Sequence, residues 1–210
     1  MLRGAVFPQV VVCDIYPLCQ AAAPLSEVLG LHPSTVVVVA DLTSAERELT
    51  EVLSAWAAFS PAPADHRYGS LYELLLDVGE WFTPAALPPG VGRGPMGFCN
   101  GNAAETVAQG WPDARGWIYV EGFALVATGG NRLPVPHAWV CPASGRTAME
   151  VTWPPGRGMA YLGDALSPAV WTHRPPYDSS PLLDAHERRE LLRVGLPNSW
   201  HVRPEAELGA

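Results

Sequence analysis

Lysine is absent from this chain: all thirteen basic residues among its 210 are arginine. Abundant Ala, Gly, Pro and Arg point to a compositional bias of the kind that GC-rich genomes impose. Charge of either sign is scarce, at 16% of residues, and the balance is negative, −8 at neutral pH with a pI near 5.1. Phosphate recognition needs clustered Lys and Arg, so a general nucleic-acid surface is excluded. The cysteines are few, Cys13, Cys19, Cys99 and Cys141. No pair has the two-residue spacing of a metal knuckle, which argues against a structural zinc site. Cys13 and Cys19 could join in an oxidising compartment. The opening Met1–Pro8 lacks the apolar run of a secretory signal, so free thiols in a reducing cytoplasm are expected. No apolar segment approaches membrane-spanning length, and no internal repeat, phosphate-cradling glycine loop or heptad register is present.

Apolar residues are plentiful, at 48%, enough for a substantial core in a 22.5 kDa chain of one domain with an added subdomain. Residues 1–65 read as an α/β extension packed on that core. Val10–Cys13 and Thr35–Ala40 are strand-like, and Thr43 and Glu46 stand at capping-box spacing to open a helix through Trp56 and Phe59. Ser60–Asp65 is a breaker. Residues 66–210 read as the core with a C-terminal helical tail. A helix opens at Ser70, with Glu73 at capping distance and Leu71, Leu74, Leu75, Val78 and Trp81 as its apolar stripe. The Pro- and Gly-rich stretch from Pro84 to Pro95 reads as a loop able to gate access. Gly116–Val126 reads as a strand. Glu121 interrupts it, either as a satisfied buried carboxylate or as a group supporting a nearby site. Beyond Trp153 a loop leads to a short strand-like piece, and Asp184–Leu192 reads as a solvated terminal helix.

The chemistry concentrates in three residues. Val135–Val140 and Ala148–Trp153 are β-prone runs flanking Pro142-Ala143-Ser144-Gly145, the pattern of a β-hairpin. A turn centred on Ala143 and Ser144 puts His137 directly opposite Glu150, with Cβ atoms about 5 Å apart on one face. A carboxylate there can accept the imidazole N–H, fixing the tautomer and supporting the imidazolium. Upstream, Gly97-Phe98-Cys99-Asn100-Gly101-Asn102 reads as a tight loop entering a helix, with Asn102 and Glu105 at capping-box spacing. A cysteine at a helix start feels the positive end of the macrodipole, which favours thiolate, and unpaired N–H groups there can hold an oxyanion. Taken singly, each residue has an ordinary explanation: a lone Cys is a small buried hydrophobe, and a His beside Trp is a core histidine. Their joint order and placement favour a nucleophile, a base and an orienter.

That order resembles transglutaminase-like members of the papain superfamily, in which a helix-borne cysteine precedes a His-Ala-Trp strand and an Asp-Pro-Thr strand. Cys99, His137-Ala138-Trp139 and Glu150-Val151-Thr152-Trp153 are the matching residues, and the likeness covers about residues 70 to 165. Two positions depart from the pattern: Glu150 stands where aspartate is usual, and Val151 where proline is usual. The resemblance implies an α+β, papain-like core, an antiparallel sheet packed against the helix that carries the nucleophile. It also implies acyl transfer or hydrolysis of an amide or ester through a thioester on Cys99, with no cofactor.

The expected partners are therefore a peptide or small-molecule amide or ester and, for transfer, an amine acceptor; neither nucleic acid nor membrane is expected. Asn100, Trp139 and Trp153 are the expected substrate contacts. Water as acceptor gives a peptidase, amidase or deamidase, and an amine gives an acyltransferase, a choice that lives in the pocket walls. Two other readings are a catalytically inactive relative serving as a protein-binding module and a metalloenzyme using Cys99, His137 and Cys141.

Overall fold

The structure, a computed structural model, describes residues 42–109, 116–143, 145–172, 180–182 and 185–202. The Val10–Cys13 and Thr35–Ala40 runs, with Cys13 and Cys19, lie outside the described residues. Two helices lead in. α1 (Ser44–Ala58) starts at Thr43, whose side chain accepts from Glu46 N–H while the Glu46 carboxylate takes the Thr43 N–H, so the expected capping box is complete. α2 (Leu71–Val78) is capped by the Ser70 hydroxyl, and the Glu73 carboxylate reaches back to Gly69 N–H. It ends before Gly79, and Trp81 belongs to the strand that follows rather than to the helical stripe.

That strand, β1 (Glu80–Ala85), lies where only the end of a helix and the start of a loop were expected. After it come α3 (Cys99–Gln109), β2 (Trp117–Thr128), β3 (Asn131–Pro142), β4 (Thr147–Met149), β5 (Gly158–Leu166), α4 (Pro168–Trp171) and α5 (Ala185–Val194). The fold is α+β, but its sheet is neither open nor wholly antiparallel. The five strands close in the order β1-β4-β3-β2-β5, with β1 parallel to β4 and the other neighbours antiparallel. β1 is thus the stave that completes the barrel.

Closure divides the apolar residues into two cores. Along β2, Val120, Ala124 and Val126 point into the barrel, while Tyr119, Phe123 and Leu125 face the helices. The interior is filled by Phe82, Trp139 and Tyr161, with Trp139 edge-on to both neighbours at ring separations of 5.5 and 5.1 Å. Outside, Trp56, Tyr72 and Phe123 link α1, α2 and β2. A glycine pair makes room within. Gly122 and Gly163 are cross-strand partners, and a Cβ on Gly163 would lie 2.6 Å from the Trp139 ring and 2.5 Å from Glu121 O. Only glycine allows that approach.

One compact unit runs from Ala40 to Ala210. α1 packs on the barrel strands β2, β3 and β5.

Candidate active site

α3 begins four residues earlier than the Asn102–Glu105 spacing implied. Gly97 turns the chain at φ 86°, and Asn102 N–H donates to Phe98 O at 2.8 Å, making Cys99 the first helical residue. Asn102 is no cap. Its amide is buried inside the helix face and donates to Pro95 O and to Thr152 Oγ1, both at 2.9 Å. Gly94 presses on that amide, and its N–H donates to Val151 O. Asn102 therefore ties the helix carrying Cys99 to the loop carrying Glu150, a role its capping spacing concealed.

His137 and Glu150 meet, though not as direct cross-strand partners. The Pro142–Gly145 turn forms, closed by Gly145 N–H to Pro142 O, yet Val140 pairs with Met149. Continuing that register sets Glu150 beside Trp139, two residues from the expected position. A slip of two leaves side chains on the same face, and the extra methylene of glutamate spans the offset. Glu150 Oε2 accepts from His137 Nε2 at 2.8 Å and from Tyr161 Oη at 3.0 Å. Oε1 accepts from the N–H groups of Thr152 and Trp153 at 2.7 and 3.0 Å. Burial raises this carboxyl, but the imidazole and then the two N–H groups more than offset it, leaving Glu150 below its ordinary range.

The imidazole is 2% exposed. Trp153 lies flat against it, rings 3.5 Å apart and 7° from parallel, with the Arg157 guanidinium over the indole. Nδ1 is buried and makes no hydrogen bond, and the Cys99 thiol lies close enough to act on the ring. Burial pushes His137 down. The Cys99 and Glu150 side chains push it further up, so the ring titrates above its ordinary value. Burial likewise pushes the Cys99 thiol up. His137, followed by the backbone N–H groups of Ala138 and Asn100, outweighs it, and the thiol ends below its ordinary value.

The structure thus brings together Cys99, His137 and Glu150, with Asn100 and Trp153 alongside. Trp139 is different. It has no exposed surface and fills the barrel, so it packs against Phe82 and Tyr161 rather than contacting a substrate. Cys141 is also fully buried in that interior. Among the described residues no group of three or more His, Cys, Asp or Glu side chains is placed to hold a metal, so Cys99, His137 and Cys141 do not form a centre. Compared with family models, curated proteins and solved structures, the chain matches none.

Proposed function

We propose that this chain is a cysteine-dependent enzyme of the papain-like, transglutaminase-like kind, cleaving or transferring the acyl group of an amide or ester. The observation that supports this most is the arrangement about His137: Nε2 is committed to a saturated carboxylate, Nδ1 is buried without a hydrogen bond, and the Cys99 thiol at the first position of a helix acts on the ring. Cys99 Sγ gives its proton to Nδ1 and attacks the carbonyl carbon. The N–H groups of the first α3 turn, which have no intrahelical acceptor, receive the oxyanion. His137 passes the proton to the departing amine or alcohol, leaving a thioester on Cys99, then deprotonates the water or amine that resolves it. Met96 and Phe98, about half exposed just before Cys99, favour an apolar group near the scissile carbonyl.

The test is an acyl-enzyme. Incubation with small activated esters and anilides, quenched in acid, should add one acyl mass to the peptide containing Cys99, and hydroxylamine should release it. A chain that turns over none of them and acquires no acyl group on Cys99 overturns the proposal.

A further inference from the structure

A second line of polar groups also starts at Cys99 and runs inward to β2. Cys99 Sγ donates to Asn100 Oδ1 at 3.4 Å, Asn100 Nδ2 donates to Tyr119 Oη at 2.8 Å, and Tyr119 Oη donates to Glu121 Oε2 at 3.1 Å. Tyr119 and Glu121 are 1% and 2% exposed, two residues apart on the helix-facing side of β2, and Trp171 stacks on the phenol. Groups this deep in an apolar core are costly unless they are satisfied, so their alignment beneath the sulfur calls for a role.

The donor inventory fixes the direction of the line. A carboxylate only accepts, so the single phenolic proton goes to Glu121. The Tyr119 oxygen is then left to accept, which it can do only from the amide nitrogen of Asn100. The amide oxygen must therefore face Cys99. We propose that Glu121, Tyr119 and Asn100 form a second positioning chain that turns the Asn100 carbonyl toward Sγ and holds the resting sulfur as a thiol, to be ionised when His137 takes its proton.

An acceptor dipole aimed at sulfur opposes negative charge there, whereas His137 and the N–H groups of Ala138 and Asn100 favour it. The titratable groups facing Cys99 are His137 on β3, with Glu150 behind it, and Tyr119 and Glu121 on β2, the two strands against which α3 packs. Burial first, then the charge of Glu121, raises the phenol far above its ordinary value, so Tyr119 remains a donor throughout the working range. The balance leaves a sulfur that ionises below the usual thiol range. This inference rests on the acyl-transfer reading, since it concerns the same sulfur.

The experiment is the pH dependence of Cys99 alkylation by iodoacetamide, read by mass spectrometry without any substrate. Tyr119→Phe keeps the ring but frees the amide to turn its nitrogen toward sulfur. The alkylation midpoint should move down by about one pH unit. Asn100→Ala removes the acceptor at a half-buried position and should move it the same way, which covers the case of a Tyr119→Phe chain that fails to fold. A midpoint unchanged or raised in the folded variants overturns the inference, because an amide nitrogen facing sulfur predicts a rise on its removal. His137→Gln separates the two proposals. If its midpoint equals that of the unsubstituted chain, there is no coupling between sulfur and imidazole, and the acyl-transfer reading fails whatever Tyr119→Phe does.

Discussion

Cys99 and Cys141 are the two described cysteines, and they lie some forty residues apart on opposite sides of one sheet layer. Cys99 is half-buried at a helix start, and its thiol lies below the ordinary value because an imidazole and two N–H groups outweigh burial. Cys141 is inside the barrel, where burial and then the charge of Glu80 push it up to about 12. Burial alone makes a thiol inert. What turns a buried sulfur into a nucleophile is a set of donors already in place before it ionises.

The sharpest way to break this comparison is Cys99→Ala. Turnover of any ester or amide substrate should fall to background, with the thermal midpoint little changed, since the substitution removes only a half-buried sulfur. A variant that kept activity through Cys141 would erase the distinction between the two sites. Next in size is Glu150→Gln. Glutamine retains the shape, but its amide nitrogen must face two of the four groups that donate to Glu150. Activity should drop by up to about 10⁴-fold, the loss seen when a triad histidine loses its orienting carboxylate. Stability should fall by about 1–3 kcal/mol.

That stability difference carries a pH signature. Glu150 is depressed in the folded chain, so its contribution is present above its ordinary 4.5 and is lost as pH falls through the lower folded value. His137 is raised, so its contribution is present below its ordinary 6.5 and is lost as pH rises through the higher folded value. The gap between the unsubstituted chain and Glu150→Gln should be widest between those two ordinary values and narrow on either side. Denaturant melts at pH 3, 5.5 and 9 measure it. A gap independent of pH would mean that the pair is uncharged.

Much of this site was legible before any coordinates, because its signals are local. Thr43 with Glu46 and Ser70 with Glu73 open helices where their spacing says, and apolar, β-prone runs form β2 and β3. The order of Cys99, His137 and Glu150 was enough to bring three side chains together. The parts that were not legible depend on distant partners. β1 lies between a helix end and a Pro-rich loop, and its parallel pairing with β4 leaves no local mark. Without β1 there is no barrel, and Trp139 could pass for a pocket wall. Asn102 sits at capping spacing but bonds Thr152, fifty residues away. Glu121 did stand out as a carboxylate in an apolar run, yet its line to Cys99 needs β2 and α3 to be packed together.

Trp153 gives a smaller expected effect. Its indole lies flat on His137, holding the ring plane and screening the bond to Glu150. Trp153→Ala should lower kcat about tenfold with little change in KM, corresponding to about 1.4 kcal/mol of lost ring positioning. A rise in KM at constant kcat would recast Trp153 as a substrate contact instead.

The smallest effect on activity belongs to Cys141→Ala, which completes the comparison with Cys99. Removing the sulfur leaves a small gap beside Trp139 and the other interior side chains, and stability should fall by about 1–2 kcal/mol. Catalysis should be unchanged, because the barrel wall separates Cys141 from the helix-facing side where Asn100 and Tyr119 meet Cys99. In the unsubstituted chain at pH 7, iodoacetamide should label Cys99 and leave Cys141 untouched, and Cys141 should become reactive only in denaturant. Labelling of Cys141 under native conditions at a rate near that of Cys99 would mean that the barrel opens as readily as the site itself, and the thiolate at Cys99 would lose its special standing.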